Sequence, residues 1–151
     1  MNIENTPVLT ALRQAMDAYS PLDDETWEQI VALCKIRTLQ KGELLYSAGI
    51  IPTSFAFVYK GLVRSYDVDA NGKEYNKNFF PENTFPGSMV ALLEESPSEY
   101  SLEAVEDSKI IELDFVKFRA ALFNNKPLMA FQIHYLEKNW LLTNDPLNTE
   151  L

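Results

Sequence analysis

The sequence holds one cysteine, Cys34, and one histidine, His134, in 151 residues. A lone cysteine excludes an internal disulfide and an iron–sulfur cluster built within the chain, and it fits a reducing compartment. A lone histidine cannot supply the histidine set of a metal-dependent cupin, so no metal site is expected. No run approaches the roughly 18 apolar residues that span a bilayer. The opening "MNIENTPVLTALRQAM" lacks the basic region and long apolar stretch of a signal peptide, so the protein reads as cytoplasmic. Positive charge is scarce too: 13 Lys and Arg stand against 22 Asp and Glu, a net charge of −9. That balance argues against direct DNA or RNA binding and against anionic membranes, because both need phosphates neutralised by Lys and Arg. The nucleophile elbow G-x-S-x-G, the P-loop, H-E-x-x-H and any Cys/His pair at meaningful spacing are all missing, so the expectation is not an enzyme. Glu94-Glu95 reads as a solvated loop pair, and His134 as a surface or interface residue.

What is present suits one globular domain. Hydrophobic residues make up 46% and charged residues 23%, enough apolar content for a real core. Val8, Leu9, Leu12, Met16 and Tyr19 fall at helical spacing over 7–19. Trp27, Ile30, Val31 and Cys34 repeat at i, i+3, i+4, i+7, which predicts a second helix over roughly 23–34 with Cys34 as a buried thiol on it. After Lys35 the texture changes. Turn residues arrive about every ten positions, and short β-rich runs lie between them: "KIRTL", "ELLY", "SFAFVYK", "LVRSYDV", "KEYNKNFF", "SLEAV" and "KIIELD". About eight strands of this kind predict a sandwich or barrel. Asn71-Gly72 fits the two positive-φ positions of a type I′ turn, so 62–80 reads as a hairpin. From Asp114 the helical period returns, first through Phe115, Phe118, Leu122 and Phe123, then from Pro127 to about Leu142. The division expected is N-terminal helices over 1–34, a β-barrel over 35–113, C-terminal helices over 114–143 and a tail over 144–151. The fold class is mainly β with flanking helices.

This order of elements resembles the cyclic-nucleotide-binding effector domain of the Crp–Fnr transcription regulators. "LQKGELLYSAG" (39–49), "FAFVYKGLVRSYDVDANGKEYNKNFFPENTF" (55–85) and "AVEDSKIIELD" (104–114) carry the resemblance, which covers roughly residues 20–142. It implies a jelly-roll β-barrel, a ligand phosphate held at the N-terminus of a short helix, and a long last helix that forms a dimer. It also implies a C-terminal helix-turn-helix that would contact DNA. Only nine residues follow Leu142, too few for such a module, so DNA contact is expected only through a domain missing from this chain.

The stretch "FPGSMVALLEESPSEYSLEA" (85–104) corresponds to the family's phosphate-binding segment. Nucleotide-binding members carry Gly-Glu there and an Arg eleven residues after the Gly; the Glu takes the ribose hydroxyl and the Arg takes the phosphate. Set against that pattern, the Gly is Gly87, the Glu position is Ser88 and the Arg position is Ser98, followed by Glu99. The candidate pocket therefore comprises Gly87, Ser88, Met89, Val90, Ser98, Glu99, Tyr100 and Ser101. Arg64 and Lys77 on the central hairpin are the candidate replacement cations. No cofactor is expected, and the effector is unknown.

The last helix carries Leu128, Phe131, Tyr135 and Trp140, more aromatic surface than is needed to cover a barrel. It is expected to form a homodimer through 127–142. The reading is a ligand-sensing and dimerisation domain with a degenerate nucleotide site. Its rivals are a true cyclic AMP or cyclic GMP binder that uses Arg64 or Lys77, a cupin-like enzyme, and a purely structural dimerising barrel.

Overall fold

The computed structural model describes residues 6–144, with side chains to Leu141. Five helices and seven strands make up the described chain. Helix α1 (Thr6–Asp17) buries the stripe Val8, Leu9, Leu12 and Met16. Helix α2 (Asp24–Val31) starts where the Asp23 carboxylate accepts the Thr26 N–H at 2.7 Å. It ends three residues short of the helix expected over 23–34. Cys34 fits the helical period, but its backbone pairs with Leu113 and opens strand β1 (Cys34–Leu39). Tertiary pairing overrides local periodicity here.

Strands β2 (Leu44–Tyr46), β3 (Ser54–Lys60), β4 (Val63–Val68) and β5 (Glu74–Phe80) follow. Helix α3 (Met89–Glu94), strands β6 (Ser101–Ala104) and β7 (Ser108–Asp114), and helices α4 (Phe115–Leu122) and α5 (Lys126–Asn144) complete the order. Seven strands replace the roughly eight expected. They form two antiparallel sheets, β1-β7-β3 and β2-β6-β4-β5. The result is the mainly β, jelly-roll-like architecture with flanking helices. No helix among the described residues is long and apolar enough to cross a membrane.

The two faces of sheet β1-β7-β3 bury two separate cores. Leu39, Ala56, Val58 and Ile110 meet Tyr46, Val63, Leu102 and Ala104 of the other sheet and fill the interior between them. Phe55, Phe57, Ile111 and Leu113 point the other way, onto Leu12, Met16, Ile30, Phe118, Leu128 and Phe131 of the helices. Burial on both faces is why "SFAFVYK" and "KIIELD" read as almost unbroken apolar runs.

The β4–β5 hairpin is present, with a different turn. Type I′ needs positive φ at both Asn71 and Gly72, yet only Gly72 (φ +83°) has it. Asp69 builds the turn instead. Its carboxylate accepts the N–H groups of Asn71 (2.8 Å) and Lys73 (3.0 Å), and its carbonyl accepts the Gly72 N–H at 3.0 Å. Those backbone bonds, that from Lys73 foremost, hold the Asp69 carboxyl below its ordinary pKa. The ladder slips beyond the turn: Ser65 faces Asn78 and Tyr66 faces Asn76, so Lys77 is the extra residue of a bulge.

Candidate functional site

Pro86 and Gly87 lead from the β5–α3 loop into α3, and the loop after α3 returns through Pro97 to β6. Gly87 fits a close approach: a Cβ there would lie 3.0 Å from the Phe55 Cβ. A cavity of about 250 Å³ opens between α3, this loop and strands β4 and β5. Of the candidate residues, Gly87, Ser88, Met89, Val90, Glu99 and Tyr100 line it, and Ser98 and Ser101 do not. Ser65, Asn78, Phe80 and Glu94 line it as well, and the sequence reading does not include them. Ser65 has a faint signal in the sequence, since it shares a strand face with inward-pointing Val63.

The Ser88 and Ser98 polar groups beside this cavity bond within the protein. The Ser88 N–H, at the start of α3, donates to the Tyr46 hydroxyl at 2.6 Å. Burial pushes the Tyr46 phenol up in pKa, against the pull of the Ser88 bond, so the group is a neutral acceptor. The Ser88 and Ser98 hydroxyls lie 2.7 Å apart. Ser98 is buried at 3% exposure; its Oγ donates to the Tyr100 carbonyl at 2.7 Å and accepts the Tyr100 N–H at 3.1 Å. Its backbone bonds to Gly49 and Ile50. Ser101 sits deeper along β6, where its Oγ accepts the Ala48 N–H at 2.9 Å.

Neither candidate cation lines the cavity. Arg64 alternates with inward-facing Val63 and Ser65 and so lies on the opposite face of β4. Its guanidinium donates to Glu74 (2.8 Å), Asn76 (2.7 Å) and Glu103 (3.1 Å) and stacks 4.1 Å above the Tyr66 ring. The Glu74 bond first, and then the Glu103 charge, raise its pKa further. Lys77 projects from the bulge, its Nζ 3.8 Å from the Asp67 carboxylate and 5.9 Å from the centre of the Tyr100 ring. The charged side chains that do line the cavity are Glu94 and Glu99.

The profile of the cyclic nucleotide-binding domain matches residues 36–125. The chain belongs to this family. No curated protein matches it by sequence. Among solved structures it is similar to the sensor domain of the transcriptional regulator DNR from Pseudomonas aeruginosa. That match has a TM-score of 0.72 and 16% identity, and covers 95% of this chain and 93% of that one. The N-terminal domain of a transcriptional regulator from Streptomyces coelicolor matches with a TM-score of 0.68 and 20% identity, over 90% of this chain and 96% of that one. The Catabolite Activator Protein of Thermus thermophilus matches with a TM-score of 0.68 and 19% identity. There, 87% of this chain spans only 61% of the other's length. The family's fold is thus shared at low identity, and the matched span includes Gly87, Ser88 and Ser98.

The last helix departs from expectation in which face it exposes. Leu128 (0% exposed) and Phe131 (3%) belong to the chain's own core, and Tyr135 packs beside them with its ring 5.9 Å from that of Phe131. They cover α1 and the helix-facing sheet and are not free to meet another subunit. The exposed large apolar residues of α5 are Met129, Ile133, Leu136, Trp140 and Leu141, the first four at spacings of four, three and four. His134 lies on the exposed side, its Nδ1 3.2 Å from Glu137. Cys34 donates its thiol to the Ile30 carbonyl at 3.2 Å, and burial pushes its pKa up to about 12.

Proposed function

We propose that this chain is a non-enzymatic effector and dimerisation domain of a Crp–Fnr-type transcription regulator whose nucleotide cassette no longer takes a cyclic nucleotide. One observation carries the reading. Where the binding pattern needs a carboxylate and a guanidinium, two serine hydroxyls bond to each other, and the Tyr46 hydroxyl occupies the N–H that would face the phosphate. A cyclic phosphodiester is an anion. Burying it without a cation costs several kcal/mol more than burying it against a bidentate arginine, and Glu94 and Glu99 oppose it further. Calorimetric titration with cyclic AMP and cyclic GMP to about a millimolar is expected to give no saturable heat. One-site binding in the micromolar range would overturn the reading.

The dimer forms through α5. Met129, Ile133, Leu136 and Trp140 follow the alternating four-three spacing of a two-helix seam. Placing glutamates at both Ile133 and Leu136 is expected to weaken the dimer by about 100-fold or more, since two charges then face an apolar seam. Sedimentation velocity checks this, and a parent chain that is monomeric at tens of micromolar would sink the dimer. In a regulator, α5 would pass a bias between two arrangements to a DNA-binding domain. The apolar filling between the sheets favours a second reading, a barrel that serves mainly to dimerise.

A further inference from the structure

A second cavity of about 350 Å³ lies on the helix side of the barrel; neither Ser88 nor Ser98 lines it, while Gly87 and Met89 line both cavities. Its size falls within the range of small-molecule sites. Phe55 and Phe85 form part of its wall, and Leu93 of α3, Leu122 of α4 and Leu136 of α5 contribute from three helices. Three side chains with polar atoms reach it, Arg119, Gln132 and Tyr135, and neither Arg119 nor Gln132 hydrogen-bonds to any described residue. Arg119 is unusual in this acidic chain. Arg13, Arg37 and Arg64 each hold a carboxylate. Among the described residues Arg119 has no ion pair, and it rests 5.7 Å from the Phe123 ring. Glu95, which lines a groove on the other side of Arg119, is not within ion-pairing reach of it.

We infer that this cavity binds a small amphipathic carboxylate, its hydrocarbon part among the phenylalanines and leucines and its anionic end on Arg119 and Gln132. An apolar interior supplies affinity in proportion to the buried carbon surface, and an unpaired guanidinium at the mouth selects the anion. The inference is independent of the serine pair and stands whether or not nucleotides bind. Because α3, α4 and α5 all line the cavity, Leu136 would couple its occupancy to the dimer seam, a consequence that rests on the dimer proposed above.

The test is calorimetric titration of the chain with octanoate and, separately, 1-octanol. One-site binding of octanoate is expected, about three- to tenfold tighter than the alcohol, the size an exposed charge pair gives. R119Q is expected to abolish that preference and leave alcohol binding unchanged. L93W, which fills the cavity, is expected to remove both. Arg119 is exposed, so R119Q keeps the fold and decides the matter even where L93W does not. No saturable octanoate binding at 10 millimolar, or a preference that survives R119Q, overturns the proposal.

Discussion

Phe131→Ala is expected to lower the stability of the domain by about 3–5 kcal/mol, the range for deleting a fully buried ring. Phe131 is 3% exposed and sits where α5 meets the core. Its ring lies 5.7 Å from Tyr19, 6.5 Å from Phe85 and 5.9 Å from Tyr135, so the truncation removes three aromatic contacts together with the buried area. Thermal unfolding followed by circular dichroism should fall by something on the order of 10 °C. Ile133→Ala is the control on the same helix. At 55% exposure it should cost less than about 1 kcal/mol in the monomer. Equal losses from the two variants would mean that α5 does not seat on the core through Phe131.

Gly61→Ala is expected to cost about 3 kcal/mol or more, from two separable causes. The backbone at Gly61 has φ +107°, a conformation side-chain-bearing residues rarely adopt. A Cβ there would also lie 2.1 Å from the Ser108 Oγ and 2.8 Å from its Cα, and the Cα is backbone and cannot swing away. Ser108 Oγ donates to the Glu106 carbonyl and accepts the Leu62 N–H, so its displacement also strands two bonds at the β3–β4 turn. Urea unfolding of the double variant, Gly61→Ala with Ser108→Gly, separates the two. It should recover part of the steric loss while the φ strain remains. A Gly61→Ala variant as stable as the parent would show that this turn relaxes freely.

Much of this architecture is legible in the sequence because its signals are local. The stripe on α1, the β-rich runs and the return of helical period at Phe115 all depend on residues close in sequence. What is not legible depends on partners far away. Cys34 fits a helix by period, and only the distant Leu113 makes it a strand residue. In α5 apolar residues point in every direction. The large rings suggested an interface, but Tyr19 and Phe85 claim Phe131 and Tyr135 for the core, leaving Ile133 and Leu136 outside. Arg64 was ambiguous because its neighbour Ser65 is polar yet points inward, which blurs the two-residue alternation. At the candidate site, Gly87, Ser88 and Ser98 are close enough in sequence to be read together. The Tyr46 hydroxyl that accepts the Ser88 N–H comes from a strand about 40 residues earlier, and no spacing rule connects the two.

The order of strands within the sheets governs when the fold becomes available. Among the strands of the described residues, β1 and β3 pair with β7 and β2 with β6, while the other edge of β3 bonds to the 83–86 segment through Ala56 and Val58. A chain leaving the ribosome therefore carries β1, β2 and β3 without their strand partners until residues 101–114 emerge, and the β4–β5 hairpin is the one strand pairing among the described residues that it makes before then. Cys34 waits for Leu113 and Leu44 for Glu103. Such long-range pairing makes folding slow, in the millisecond-to-second range of non-local β topologies. It also places the period of greatest aggregation risk in the middle of synthesis, with the apolar run of β3 not yet paired to β7.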